Sequence, residues 1–248
     1  MKTALREQII IGLLESRGAM SVQELSEILG VTTCTVRRQL TKMQANGLVI
    51  RSYGGVMPVS NVPEESFENK LHKSISEKRH MAECARSLIP NGSTIALGSG
   101  TSVYALATLL NDINSSVVYT NSMQTADMLA HYPGIEVHIC CGILRSRSGT
   151  IIGSEAAEFF RSLNVDYAFI GCDAISAEGI VFCDNLAVAT VERLILSCAK
   201  HKYILCDSTK LGQSAIASIT DLKDCEGLIT SRSQSTDIYS SMTQIIAP

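Results

Sequence analysis

The sequence predicts an α/β chain in two parts: a small helical N-terminal unit that closes with a β-hairpin, and a larger C-terminal unit built on a Rossmann-like parallel sheet. Three observations carry this. Residues 1–57 hold three amphipathic helical stretches at short intervals, then two short apolar runs around the turn Tyr53-Gly54-Gly55. Beyond residue 76, short apolar runs alternate with helical stretches, the pattern of a parallel sheet covered on both faces. Charge divides at nearly the same place. Through Gly55 there are seven Lys+Arg against four Asp+Glu, net +3, whereas the remainder carries fourteen against twenty, net −6. At 248 residues and 46% hydrophobic content, the chain has material for two domains and a sizeable core in the second. The expected division is residues 1–57, a linker over 58–75 that contains Pro58 and Pro63, and residues 76–248.

In the N-terminal unit the first helix is expected over residues 3–16, with Leu5, Ile9 and Leu13 as its packing stripe. Ser21-x-x-Glu24 is a capping box that opens a second helix, with Val22, Leu25, Ile28 and Leu29 on one side. Gly30-Val31 makes a tight turn into residues 32–46, TTCTVRRQLTKMQAN. There Val36, Leu40 and Met43 form an apolar stripe, Cys34, Arg38, Thr41 and Ala45 fall opposite, and Arg37 and Lys42 flank them. Thr32 can cap the start, and Asn46-Gly47 is a helix stop. Residues 48–51 and 56–57 then alternate as a hairpin. Two adjacent arginines alone describe an ordinary solvated face. Two short helices across a glycine turn, followed by a hairpin, make the layout of a winged helix-turn-helix, and the exposed face becomes a surface for double-stranded DNA. Arg37 and Arg38 are the first candidates for base or phosphate contact, and Thr33 and Cys34 for base edges near the helix start. Lys42 and Arg51 suit the phosphate backbone, and Thr41 shares the exposed face.

In the C-terminal unit a helix over residues 75–88 ends before the turn Pro90-Asn91-Gly92. Strands are expected over 94–97, 117–120, 137–140, 167–170, 203–206 and 228–229, and further helices over 103–110, 123–130, 155–163 and 186–199. Ligands of open parallel sheets bind at the carboxyl ends of the strands, so the loops there are where recognition is sought. The first, Gly98-Ser99-Gly100-Thr101-Ser102, combines glycines that admit a ligand to the backbone with hydroxyl donors, and a helix follows it directly. Such a loop suits phosphate. The second is Thr120-Asn121-Ser122. The third, Cys141-Gly142-x-x-Arg145-x-Arg147, sets two cations behind a flexible backbone, and the last is Asp207-Ser208-Thr209-Lys210.

Nine cysteines without a C-x-x-C, with no signal peptide and no long apolar run, fit a reduced cytoplasmic protein rather than a secreted or membrane one. They read as small core residues. The pair Cys140-Cys141, with His138 nearby, is the one metal or redox candidate, but vicinal residues on a strand face opposite ways. No metal and no cofactor is expected.

The residues Arg6, Ile9-Ile10, Ser21-Val22-x-Glu24-Leu25, Gly30-Val31, Thr35-Val36-Arg37-Arg38-x-Leu40, Gly47 and Arg51-x-Tyr53-Gly54-Gly55-Val56 together resemble the DNA-binding domain of the DeoR-type family of bacterial sugar-metabolism repressors. The four loops, with Asp166-Tyr167-Ala168-Phe169-Ile170-Gly171 between them, resemble that family's effector domain over residues 78–230. That domain is related to sugar-phosphate isomerases and to the CoA-transferase superfamily. The resemblance implies a cytoplasmic repressor of a carbohydrate-utilisation operon, with a phosphorylated sugar controlling its affinity for operator DNA. It implies that Ser99, Gly100, Thr101 and Ser102 hold the phosphate, and that Thr120, Asn121, Arg145, Asp173 and Lys210 line the sugar end. A single recognition helix makes too small a contact for strong specificity, so a homodimer or homotetramer is expected, assembled through the C-terminal domain.

Four departures from the family pattern bear on these expectations. Gln39 replaces an aspartate after the arginine pair, which points to altered helix contacts or a different operator. Gly98 replaces an aspartate, Cys141 replaces the first of two glycines, and Glu192-Arg193 stands where a lysine is usual. Loss of the carboxylate at position 98 implies a different sugar or a weaker grip on it. Two other readings stay open: a sugar-phosphate isomerase with a DNA-binding arm, and a DNA-bound regulator whose pocket is no longer used. Isomerisation needs a positioned base, for which Asp166, Asp173, Asp184 and Lys210 are available. The first loop has no acid at Gly98, however, and the chain contains no Gly-x-Ser-x-Gly elbow.

Overall fold

A computed structural model describes residues 3–17, 19–45, 49–52, 55–58, 65–231 and 234–247. The chain forms two compact units, Met1–Glu64 and Glu65–Pro248.

The smaller unit runs α1 (Thr3–Arg17), β1 (Met20–Ser21), α2 (Val22–Leu29), α3 (Thr33–Ala45), β2 (Val49–Ser52) and β3 (Gly55–Pro58). Its strands form an antiparallel sheet in the order β1-β3-β2, so the hairpin is a wing. The capping box of α2 is complete: the Ser21 amide donates to Glu24 Oε2 at 2.7 Å, and the Glu24 amide donates to Ser21 Oγ at 3.1 Å. Gly30 ends the helix in the left-handed region, φ +62°, where a side chain would be strained. Ile10, Leu14, Leu25, Val36, Leu40 and Met43 are fully buried and make the core.

Two expectations are corrected here. The stripe of α1 centres on Ile10 and Leu14, with Ile9 and Leu13 packed at its side, one position beyond the expected register; the side chain of Leu5 lies outside the described residues. Ile28 is 46% exposed, because at about 100° per residue it falls well off the line through Val22, Leu25 and Leu29. The expected stop at Asn46-Gly47 and the turn at Tyr53-Gly54 also lie outside the described residues.

The larger unit opens with a helix where linker was expected, α4 (Phe67–Leu71), capped by Ser66, whose Oγ accepts from the Asn69 amide at 3.3 Å. Next come α5 (Ile75–Ser87), β4 (Thr94–Leu97), α6 (Thr101–Ala107), β5 (Ser116–Thr120), α7 (Met123–Leu129), β6 (Ile135–Ile139), β7 (Ile143–Arg145), β8 (Thr150–Ile152) and α8 (Ser154–Arg161). The chain continues through β9 (Val165–Gly171), β10 (Ala174–Ile175), β11 (Ile180–Cys183), α9 (Leu186–Ser197), β12 (Ala199–Leu205), β13 (Ala217–Asp221), β14 (Gly227–Ile229) and β15 (Gln244–Ile246). Seven strands form one parallel sheet in the order β15-β14-β12-β9-β4-β5-β6.

Alternate residues of these strands feed two cores. Ala96, Ala168, Ile170 and Ile204 face one, against α8 and α9, while Ile95, Leu97, Phe169 and Leu205 face the other, against α5 and α6. Winding starts at β4 and runs outward through β5 and β6, then returns to β9 and runs the other way. The carboxyl ends of β4 and β9 therefore sit at the point of reversal, where a crevice opens between diverging loops.

Short antiparallel pieces decorate this frame: the β7–β8 hairpin and a second sheet, β10-β11-β13. They correct the third expected loop, since Arg145 ends strand β7 rather than lying in a coil. Among the described residues, no helix is long and apolar enough to cross a membrane.

Candidate functional site

On α3, burial separates the two faces cleanly. Val36, Leu40 and Met43 are inaccessible, whereas Thr33, Cys34, Arg37, Arg38, Thr41 and Lys42 are all exposed. Thr32 Oγ1 accepts from the Thr35 amide at 3.3 Å, which caps the helix start. Thr41 Oγ1 donates to the Arg37 carbonyl at 2.9 Å, so its methyl rather than its hydroxyl is turned outward from the helix. Gln39 is buried, and its Oε1 accepts from Arg6 Nη1 of α1 at 3.0 Å, so this departure lies in how two helices are tied. Arg51 lies in β2, with its side chain outside the described residues.

In the larger unit, the candidates meet at the reversal point through two networks. The first is centred on Glu192 of α9. Its Oε1 accepts from the Ser99 amide at 3.0 Å and from Ser99 Oγ at 2.9 Å. Its other oxygen lies in the space a side chain at position 98 would fill: a Cβ on Gly98 would stand 2.2 Å from Oε2 and 3.0 Å from Cδ. The carboxylate beside the first loop thus comes from α9. Asn121 lies beside it, fully buried, and no hydrogen bond of conventional geometry reaches its amide nitrogen, its amide oxygen or Glu192 Oε2. Burial pushes the Glu192 carboxyl up to about 7, with the Ser99 amide and hydroxyl and then Asn121 pulling against the rise, and Asp173 adding to it. Thr120 is also fully buried, and its Oγ1 accepts from the Ser122 amide at 3.1 Å, so neither Thr120 nor Asn121 presents open surface in this arrangement.

The second network joins lysines to aspartates. Lys70 Nζ of α4 pairs with Asp173 Oδ1 at 2.9 Å, and Asp173 Oδ2 accepts from the Asp184 amide at 3.0 Å. Lys210 Nζ donates to the Cys172 carbonyl at 2.8 Å and lies 3.4 Å from Asp207 Oδ2. Lys78 Nζ of α5 donates to the Lys70 carbonyl, which also accepts from Thr101 Oγ1 at 3.5 Å. Burial, then repulsion from Lys210, pushes Lys78 down to about 8. Burial opposes the charges of Lys70 and Asp173, yet their mutual attraction, helped at Asp173 by the Asp184 amide, leaves Lys70 raised and Asp173 lowered.

Gly100 precedes α6 with φ +100°, a conformation for which glycine is suited, and Thr101 and Ser102 are buried behind it. Arg145 sits half-buried in the hairpin, which is joined to the second loop by the Met123 amide donating to the Gly149 carbonyl at 2.9 Å.

The structure therefore brings Ser99, Thr101, Asn121, Asp173, Glu192 and Lys210 to one region and adds Lys70 and Lys78, which sequence reasoning did not place there. Lys70 was hidden in an expected linker. Lys78 had a legible signal, a lysine on the inward side of an amphipathic helix, and Glu192 stood out as a departure without its partner being evident. Cys140 is buried and Cys141 exposed, and among the described residues no cluster of three or more His, Cys, Asp or Glu is placed to hold a metal.

Two predictions rest on Glu192. Gly98→Ala forces the buried carboxylate aside and costs roughly 1–3 kcal/mol in chemical denaturation. Combined with Glu192→Ala the two losses are less than additive, and strictly additive losses would show that the clash is not the cause. The second prediction concerns pH. The folded carboxyl holds its proton more tightly than the unfolded one, so its contribution to stability is full below 4.5 and is lost as pH rises through about 7. Glu192→Gln removes that loss. Its melting temperature relative to the unaltered chain rises between pH 5 and pH 8, and a pH-independent difference would contradict the assignment.

Residues 6–62 match the DeoR-like helix-turn-helix domain, and residues 73–232 match the DeoR C terminal sensor domain. The chain is 33% identical over 225 residues to the HTH-type transcriptional repressor CsqR of Escherichia coli, covering 91% of this chain and 86% of that protein. It is 28% identical to the glycerol-3-phosphate regulon repressor of the same organism, covering 93% and 91%. Among solved structures, ribose 5-phosphate isomerase A of Methanocaldococcus jannaschii superposes with a TM-score of 0.40 at 20% identity, over 54% of this chain and 53% of that one. With both of its domains matched in order and nearly its whole length aligned, the chain belongs to the DeoR family of helix-turn-helix transcriptional regulators.

Proposed function

We propose that this chain represses a carbohydrate-utilisation operon from the cytoplasm, and that a phosphorylated sugar bound at the reversal point of the large sheet sets its affinity for operator DNA. The observation that carries the sensor half is the paired lysine–aspartate network around Thr101. Lys70, Lys78 and Lys210 offer cations to a phosphate of about −2 charge, and Asp173 and Asp207 are acceptors for sugar hydroxyls. A relative named for the glycerol-3-phosphate regulon fits a small phosphorylated polyol or sugar as the ligand class. The DNA half rests on the exposed cationic face of α3.

The site acts by binding rather than by turnover. Asp173 and Asp207 are each paired with a lysine, so neither of them stands ready as a general base. Assembly as a homodimer or homotetramer is favoured by Ile139, Ile143 and Leu144, 44%, 65% and 46% exposed along β6 and the hairpin that follows. Two copies place two recognition helices on one duplex.

Arg37→Ala and Arg38→Ala each abolish footprinting of the chain's own upstream region while leaving the circular-dichroism melt unchanged; protection retained by both would refute the role of α3. Lys210→Ala leaves DNA binding intact but removes its response to a panel of sugar phosphates in gel shifts. Ligand binding also restores the proton that burial and the Lys210 and Lys70 charges disfavour on Lys78, against the attraction of Asp207 and Glu65. Calorimetry at pH 8 therefore shows proton uptake, read as a heat that varies with the ionisation enthalpy of the buffer, and a buffer-independent heat would exclude it.

A further inference from the structure

α4 is fastened to four of the elements that carry the sensor site, α5 among them through Lys78 Nζ on the Lys70 carbonyl. The Phe67 amide donates to the Arg147 carbonyl of the β7–β8 turn at 3.0 Å, and the Phe67 ring meets Tyr104 of α6 edge-on, centroids 5.3 Å apart. The Lys70 carbonyl accepts from Thr101 Oγ1, and Lys70 Nζ pairs with Asp173 beyond β9. The helix begins three residues after Glu64, the last residue of the DNA-binding unit.

Two of these ties use groups that a sugar phosphate also needs. The Thr101 hydroxyl donates to the Lys70 carbonyl at 3.5 Å, a long bond that a phosphate oxygen readily replaces with a shorter, charge-assisted one. The Lys70 ammonium faces Asp173, and a dianion is a stronger partner for it than a monovalent carboxylate already shared with the Asp184 amide. We propose that Lys70 is an effector-contacting residue, that phosphate takes both its ammonium and the Thr101 hydroxyl, and that α4 is thereby released from its docked position. Asp173, freed from Lys70, becomes an acceptor for a sugar hydroxyl. Docking of α4 and binding of effector thus compete for the same atoms, and the competition is what the DNA-binding unit senses. This rests on the sugar-phosphate reading above.

The chain contains no tryptophan, so Asn69→Trp places a single reporter on the exposed side of α4. Calorimetry first measures binding of glycerol 3-phosphate, ribose 5-phosphate and hexose 6-phosphates to the unaltered chain. With the ligand that binds, emission from Trp at position 69 shifts and saturates at the calorimetric affinity. Lys70→Met weakens that binding about 10- to 100-fold and Lys70→Arg restores most of it, an outcome that a merely structural lysine would not produce. Binding without a change at position 69, or undiminished binding by Lys70→Met, would overturn the role of Lys70 while the sugar-phosphate reading stands. No heat with any of the phosphates would end both.

Discussion

A parallel sheet covered on both faces satisfies its backbone internally and fills its side-chain positions with apolar residues, and this constraint governs the larger unit. Ile95, Ala96 and Leu97 of β4 point to alternate cores with no polar side chain among them, as do Ala168, Phe169 and Ile170 of β9. Recognition is therefore expelled to the strand ends. Because winding reverses between β4 and β9, the loops following these neighbouring strands turn apart, and groups far apart in sequence, Ser99, Asn121, Asp173 and Lys210, come to one place. The polar networks found there follow from that exclusion: charges brought close to a buried sheet edge must pair with each other when no ligand pairs with them.

The pairing of Gly98 with Glu192 shows how such a site tolerates rearrangement. The carboxylate of Glu192 holds the Ser99 amide and hydroxyl from α9. Glycine at 98 leaves space open for that side chain. The placement has a consequence for electrostatics. Carried on a helix in the core, the Glu192 carboxyl is raised by burial to about 7.

Legibility in the sequence followed the range of the interactions involved. The winged helix-turn-helix was readable because its signals are local: a capping box spanning four residues, a left-handed glycine, an i, i+4, i+7 stripe. The main strands were readable because burial on both faces leaves continuous apolar runs. The second sheet was not, since β10 has two residues and β11 four, too short for a period to register. Helix α4 was masked by its polar composition and by prolines upstream, and what stabilises it is tertiary, the Phe67 ring on Tyr104. Partner choice was the least legible of all. Nothing near Gln39 announces Arg6, and nothing near Glu192 announces position 98, because in each case the partner is brought up by a different element of the fold.

A closed, internally paired site is suited to sensing for a thermodynamic reason. An effector can shift an equilibrium only by its differential affinity for two states, so the unliganded state must be a defined structure with contacts of its own. The Lys70–Asp173 pair and the Thr101 hydroxyl bond to the Lys70 carbonyl are such contacts. They are also weak ones. The pair is only partly buried, with side-chain exposures of 38% and 20%. A deeply buried, rigid pair would hold α4 against any metabolite at ordinary concentration, and with no pair at all the ties of Phe67 to Tyr104 and Arg147 would hold α4 whether or not ligand is present. Coupling of about 1–3 kcal/mol lies between these extremes and is enough to change operator occupancy several-fold or more. Because linkage is reciprocal, an effector that changes the affinity for operator DNA by some factor is itself bound more or less tightly by the same factor when the operator is bound.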